Sequence, residues 1–141
     1  MTVPAILVPV FAQVALTFAL LLWTGRARFA ALGARAVDVG SIALGQRAWP
    51  ARVMQVSNAF QNQFELPILF YALVAFALIT RKADLLFVVL SWVFVATRFA
   101  HAFVYATTNP IRQRFAIFVV GAIALMAMWI IFAVRVLAPG L

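Results

Sequence analysis

Four runs of apolar residues, at about 3–23, 50–80, 84–106 and 115–137, leave almost nothing from which a water-soluble domain could be built. A helix needs roughly 20 apolar residues to cross the hydrocarbon of a bilayer. Helices and closed barrels are the structures that satisfy their own backbone there. The chain is 67% apolar, where a soluble domain is about half apolar. The first run, "VPAILVPVFAQVALTFALLLW", has no basic segment before it and is followed by "TGRARF", so it reads as a first span and not as a signal peptide. The connections after the second and third runs are short, which makes consecutive helices antiparallel neighbours. The expected fold is therefore all-α: one integral membrane domain over residues 1–141, built as an up-down four-helix bundle.

The connections carry the charge. Formal net charge is +8, with eleven basic residues against three acids. Arg26, Arg28, Arg35, Arg47 and Arg52 lie between spans one and two, and Arg112 and Arg114 between spans three and four. Arg81, Lys82 and Arg135 lie on the opposite side. The positive-inside rule then puts both arginine-rich connections in the cytoplasm and both termini outside. Residues 25–50, "GRARFAALGARAVDVGSIALGQRAWP", are too polar to cross and are expected to lie among the headgroups as short interfacial helices. Pro50 suits a helix start, and Pro67 is expected to bend span two. Membrane lipids are expected partners and nucleic acid is not, because no basic recognition helix remains once the spans are removed. The chain has no cysteine and one histidine, so no disulfide, thiolate nucleophile or metal-ligand set is expected.

Ionisable residues inside a span are costly and mark functional sites by default. Here they are Glu65 in span two, and Arg98 and His101 in span three. Arg98, His101 and Tyr105 are spaced i, i+3, i+7 and share a helical face. Gln55, Asn58, Asn62 and Glu65 form a second stripe at spacings of three, four and three. Both stripes fall in the half of the bundle under the arginine-rich connections. The expected result is a cationic, amide-lined cavity with one carboxylate, suited to a ligand carrying several carboxylates and an amine. Plainer readings stand beside it: Glu65 and Arg98 as a structural ion pair, and the amides as interhelical glue.

The elements "NQFELP" and "RFAHAFVY", with "NPIRQ" downstream, resemble the MAPEG family of membrane-associated proteins in eicosanoid and glutathione metabolism. The Arg-x-x-His-x-x-x-Tyr spacing and the Pro-Ile-Arg that follows are similar to those of its microsomal prostaglandin E synthase members. The resemblance covers nearly the whole chain. It implies a homotrimer with glutathione as co-substrate, bound between subunits on the cytoplasmic side. By motif, Asn62 and Glu65 would hold the γ-glutamyl end, with Arg98, His101 and Tyr105 lining the site from span three. Arg112 would lie nearest the thiol with Tyr105 as a second catalytic contact, Gln113 would follow it, and Arg26 or Arg28 would close the site from span one. Gln61 and Asn58 stand where relatives often have arginine. Ten arginines to one lysine, with alanine-rich spans, point to a bacterial inner membrane protein. The implied activity is a glutathione-dependent transferase or peroxidase acting on lipophilic small-molecule electrophiles. The alternative is a non-catalytic protein of the same fold that binds a lipid or a partner helix. A transporter fits less well, because one polar half gives no pathway across.

Overall fold

The computed structural model describes residues 1–43 and 48–138. Its elements are α1 (Val3–Gly33), α2 (Ala51–Gln61), α3 (Leu66–Ile79), α4 (Leu85–Ala106) and α5 (Ile111–Leu137). No strand is present among the described residues. α2 and α3 together form one span, Ala51–Ile79, so four helical segments among the described residues are long and apolar enough to cross a membrane. Contacts between element ends show the antiparallel order. Arg52 at the start of α2 stacks over Trp23 of α1 at 5.5 Å. Gln55 bonds the end of α4, and Asp84 at the start of α4 pairs with Arg135 near the end of α5.

The first helix runs ten residues past the expected end at Trp23. Outside the hydrocarbon a helix continues as long as its residues favour it, and Ala27, Ala30, Ala31 and Leu32 are good helix formers. It stops where Arg35 turns left-handed (φ 50°), with Arg35 N–H donating to Leu32 C=O and Ala36 N–H to Ala31 C=O. Arg81 closes α3 in the same way, at φ 56°. Both are Schellman closures with arginine where glycine is usual. In the connection that follows α1, one 3-10 turn forms at Gly40–Ile42. Trp49 there stacks beneath Arg28 at 5.3 Å. The expected basic residue Arg47 lies outside the described residues.

Span two is interrupted, not merely bent. α2 ends at Gln61, Asn62–Phe64 form a 3-10 turn, and Glu65 takes a non-helical backbone (φ −97°, ψ −103°) before α3 begins. Pro67 falls in the first turn of α3, where its missing N–H has no partner to lose. Span four also begins earlier than expected. Asn109, left-handed at φ 53°, ends the α4 turn, and Pro110 starts α5 directly, so Arg112, Gln113 and Arg114 are helical.

The two halves of the bundle are packed differently. At the Asp84 end a large core joins Phe70, Leu73, Val74, Phe87, Phe94, Val95, Leu125 and Met128. At the Tyr105 end the core shrinks to Leu20, Ala59, Ala102 and Ala106, and polar groups take the remaining space.

Asp84 anchors the apolar end. It accepts from Phe87 N–H at 2.9 Å as the N-cap of α4 and from Arg135 Nη2 at 2.6 Å. The Arg135 hydrogen bond, with the Phe87 N–H, holds its carboxyl below the usual carboxylate range. That contribution is therefore complete above the unfolded-state value of about 3.9 and lost as pH falls through the depressed folded value. Asp84→Ala should cost about 0.5–2 kcal/mol, chiefly through the cap. Asp84→Asn keeps an acceptor for Phe87 and should cost less, while flattening the acid limb of the stability profile. Unfolding in detergent, followed by tryptophan fluorescence across pH, checks both.

Candidate functional site

The polar end is assembled where α2 begins, α4 ends and α5 begins. The last carbonyls of α4 have no partners within their own helix. Gln55 Nε2 donates to the Tyr105 and Thr107 carbonyls, each at 2.8 Å, and the Arg52 guanidinium donates to the Ala106 carbonyl. Gln55 therefore serves as a clamp between α2 and α4.

Beside that clamp lies an open cleft of about 320 Å³ lined by Asn62, His101, Tyr105, Arg114 and the apolar Ile111, Phe115 and Phe118. Arg114 lies over the Tyr105 ring at 4.0 Å, and its Nη1 donates to Asn109 Oδ1 at 2.6 Å. The left-handed turn at Asn109 thus both ends α4 and holds the cation of the cleft. Asn62 is half-buried, its Nδ2 donates to the Asn58 carbonyl at 3.0 Å, and its Oδ1 is left to accept. The His101 ring is buried between Tyr105 (centroids 5.8 Å apart) and Phe118 (5.9 Å), with no bond to Nδ1 among the described residues.

Arg98 sits behind this wall. It is 1% exposed, and none of its three guanidinium nitrogens meets an acceptor among the described residues. Its nearest partners are the faces of Phe118 at 5.2 Å and Phe94 at 5.7 Å. A cation between two rings gains about 2 kcal/mol when desolvated. Burying a charge costs several kcal/mol, so the rings leave a deficit. The arrangement suits an anion.

The second expected stripe divides. Gln55 and Asn62 are half-buried, whereas Glu65, at the break in the span, is exposed, as are Gln61 and Phe64. Glu65 makes no ion pair with Arg98 among the described residues, so the structural-pair reading finds no contact here. Arg112 and Gln113 are exposed on the first turn of α5, and Arg114, two residues on, enters the cleft instead. Arg26 and Arg28 are exposed, Arg28 on Trp49. No group of three or more His, Asp or Glu gathers as a metal site among the described residues.

A further polar contact comes from α1. Gln13, fully buried, donates from Nε2 to Gln63 Oε1 at 2.8 Å, and Gln63 Nε2 donates back to the Ala59 carbonyl at 3.0 Å. The pair ties span one to the break in span two. Its signal in the sequence is a single amide in an otherwise apolar run. Gln63→Leu should leave Gln13 buried without a partner and cost about 1–2 kcal/mol. Gln13→Leu combined with Gln63→Leu should cost less than the two singles summed, measured by detergent unfolding as a double-mutant cycle.

A model of the MAPEG family matches residues 6–134. No curated protein and no solved structure matches the chain.

Proposed function

The chain belongs to the MAPEG family, integral membrane proteins of glutathione and eicosanoid metabolism, and on that premise we propose that it is a glutathione-dependent transferase or peroxidase acting on lipophilic electrophiles. The observation that carries the reading is Arg98, a buried guanidinium that meets no acceptor among the described residues, directly behind an amide- and arginine-lined cleft. Glutathione offers two carboxylates, an ammonium and a thiol. Arg98 takes a carboxylate, the free Oδ1 of Asn62 accepts from the ammonium, and His101 supports the wall between them. Glu65 binds the ammonium from the outer face of a neighbouring copy, in a homotrimer. That arrangement also removes a carboxylate from contact with lipid, where it would be costly.

Thiolate is the reactive form of the tripeptide. An adjacent cation favours it by lowering the thiol pKa by about 1–3 units. The resemblance gives this role to Arg112. In the single chain Arg114 is the arginine that reaches Tyr105, so we assign the sulfur to Arg114, with the Tyr105 hydroxyl donating to it. The thiolate attacks an electrophilic carbon, a C–S bond forms, and the leaving group departs with its electron pair. Ile111 and Phe115, both exposed at the cleft mouth, give an apolar approach for a co-substrate arriving from the bilayer. Orientation follows the basic residues, with the cleft toward the cytoplasm of a bacterial inner membrane and the termini outside.

The reading is tested by calorimetry of glutathione binding to detergent-solubilised protein, followed by turnover of chlorodinitrobenzene. Glutathione should bind, and Arg98→Gln should abolish binding. Arg114→Ala should spare most of the binding, lower turnover, and move the pH–rate profile upward by about one unit, because the thiol loses its cation. If Arg112→Ala moves the profile and Arg114→Ala does not, the thiol is held from outside the single-chain cleft. No binding at millimolar glutathione would overturn the catalytic reading and favour a lipid- or helix-binding protein of this fold, as would befit Asn58 and Gln61 in place of arginine.

A further inference from the structure

The guanidinium of Arg98 and the cleft are separated by one side chain. Phe118 lines the cleft on one side and covers the Arg98 guanidinium at 5.2 Å on the other. Arg98 itself is absent from the cleft wall. One turn along α5, Gly121 supplies the floor: a Cβ there would lie 3.1 Å from Arg98 Nη2 and overlap the Thr97 hydroxyl. Phe94 closes another side at 5.7 Å. His101, the other neighbouring side chain in the wall, is 3% exposed and wedged between Phe118 and Tyr105. Phe118 is half-buried with free volume beside it, and it is the wall residue with room to turn.

We propose that Phe118 is a gate: its ring swings into the cleft so that a carboxylate arm of the ligand reaches Arg98, and it closes over the guanidinium when the cleft is empty. The exchange is favourable in direction. A ring face offers a cation a quadrupole, whereas a carboxylate offers full charge and two parallel hydrogen bonds to the guanidinium fork. Gly121 is part of the device, because an added Cβ there would overlap the Thr97 hydroxyl and press on the guanidinium at 3.1 Å. Phe118 consequently selects for ligands with an anionic arm long enough to pass the ring, and uncharged thiols do not open it. The proposal rests on the glutathione reading above and adds to it the step by which the buried charge becomes available.

Stopped-flow binding of glutathione tests it. Phe118→Ala should speed association by about tenfold, equivalent to about 1.4 kcal/mol at the barrier. Phe118→Leu should give a smaller change in the same direction and serves if the alanine variant does not fold, with folding followed by gel filtration and melting. In Phe118→Trp, the new indole should change its emission on adding glutathione relative to wild type, and the change should vanish when Arg98→Gln is added. Wild-type binding with unaltered association in both Phe118→Ala and Phe118→Leu would sink the gate and leave the glutathione reading standing. A Phe118→Trp response that survives Arg98→Gln would show binding without Arg98 and remove both proposals. Binding by Phe118→Ala but not by wild type would support a gate that rests closed. Absence of binding in every variant and in wild type would remove both proposals.

Discussion

In hydrocarbon a backbone carbonyl without a donor has no water to turn to, and span two breaks its own ladder in the middle of the bundle. Much of the polar structure answers that break. Gln63 folds its amide back onto the Ala59 carbonyl, where the helix gives way to a 3-10 turn, and Asn62 Nδ2 adds a second donor to the Asn58 carbonyl that the Asn62 N–H already serves. Gln13 then reaches from α1 to hold Gln63 in place. The break is thus tied by side-chain bonds to both α1 and α2. Asn62 lines the cleft, and Glu65 is exposed.

Arg98 is the charged group among the buried polar groups left without a partner in the described residues, with Thr24, Ser57 and His101 Nδ1 as uncharged ones, and the contrast with the bonded arginines gives it meaning. Several amides and arginines of the polar half do find a named acceptor: Gln55 and Arg52 on α4 carbonyls, Gln63 on Ala59, Arg114 on Asn109. A chain that arranges those bonds and leaves a guanidinium between two phenyl rings is storing a costly charge. Gly121 shows that the position is built into the packing, since the helix–helix approach of α4 and α5 leaves room for the guanidinium there and for no added side chain.

The spans are legible in the sequence because crossing hydrocarbon is a strong demand on composition. What lies beyond that demand is not. α1 overruns Trp23 because, past the membrane, alanine-rich sequence keeps a helix going until Arg35 closes it. The spacing reads span two as one unbroken helix through Asn62 and Glu65, whereas a 3-10 turn and one non-helical residue interrupt it there. Motif favours Arg112 over Arg114, yet residues two apart stand on different faces, and the choice depends on where α5 begins. That start is set by Asn109 and Pro110, a turn whose geometry no periodicity reveals. His101, Tyr105 and Asn62 do meet at one cleft, as depth and spacing suggest.

The unequal packing of the two halves ties the fold to the site. At the Asp84 end, large side chains interlock and leave little freedom, and the N-cap and Arg135 fasten the helix ends. At the Tyr105 end, Ala59, Ala102 and Ala106 let α2 and α4 approach closely while burying little apolar area. Cohesion there comes instead from directional bonds to carbonyls at the end of α4. Directional bonds fix orientation without filling volume, so they can bound a cleft that a close-packed core would fill. Removing Gln55 or Arg52 would therefore loosen the cleft without unpacking the bundle, since the apolar half that holds the helices together is a separate cluster.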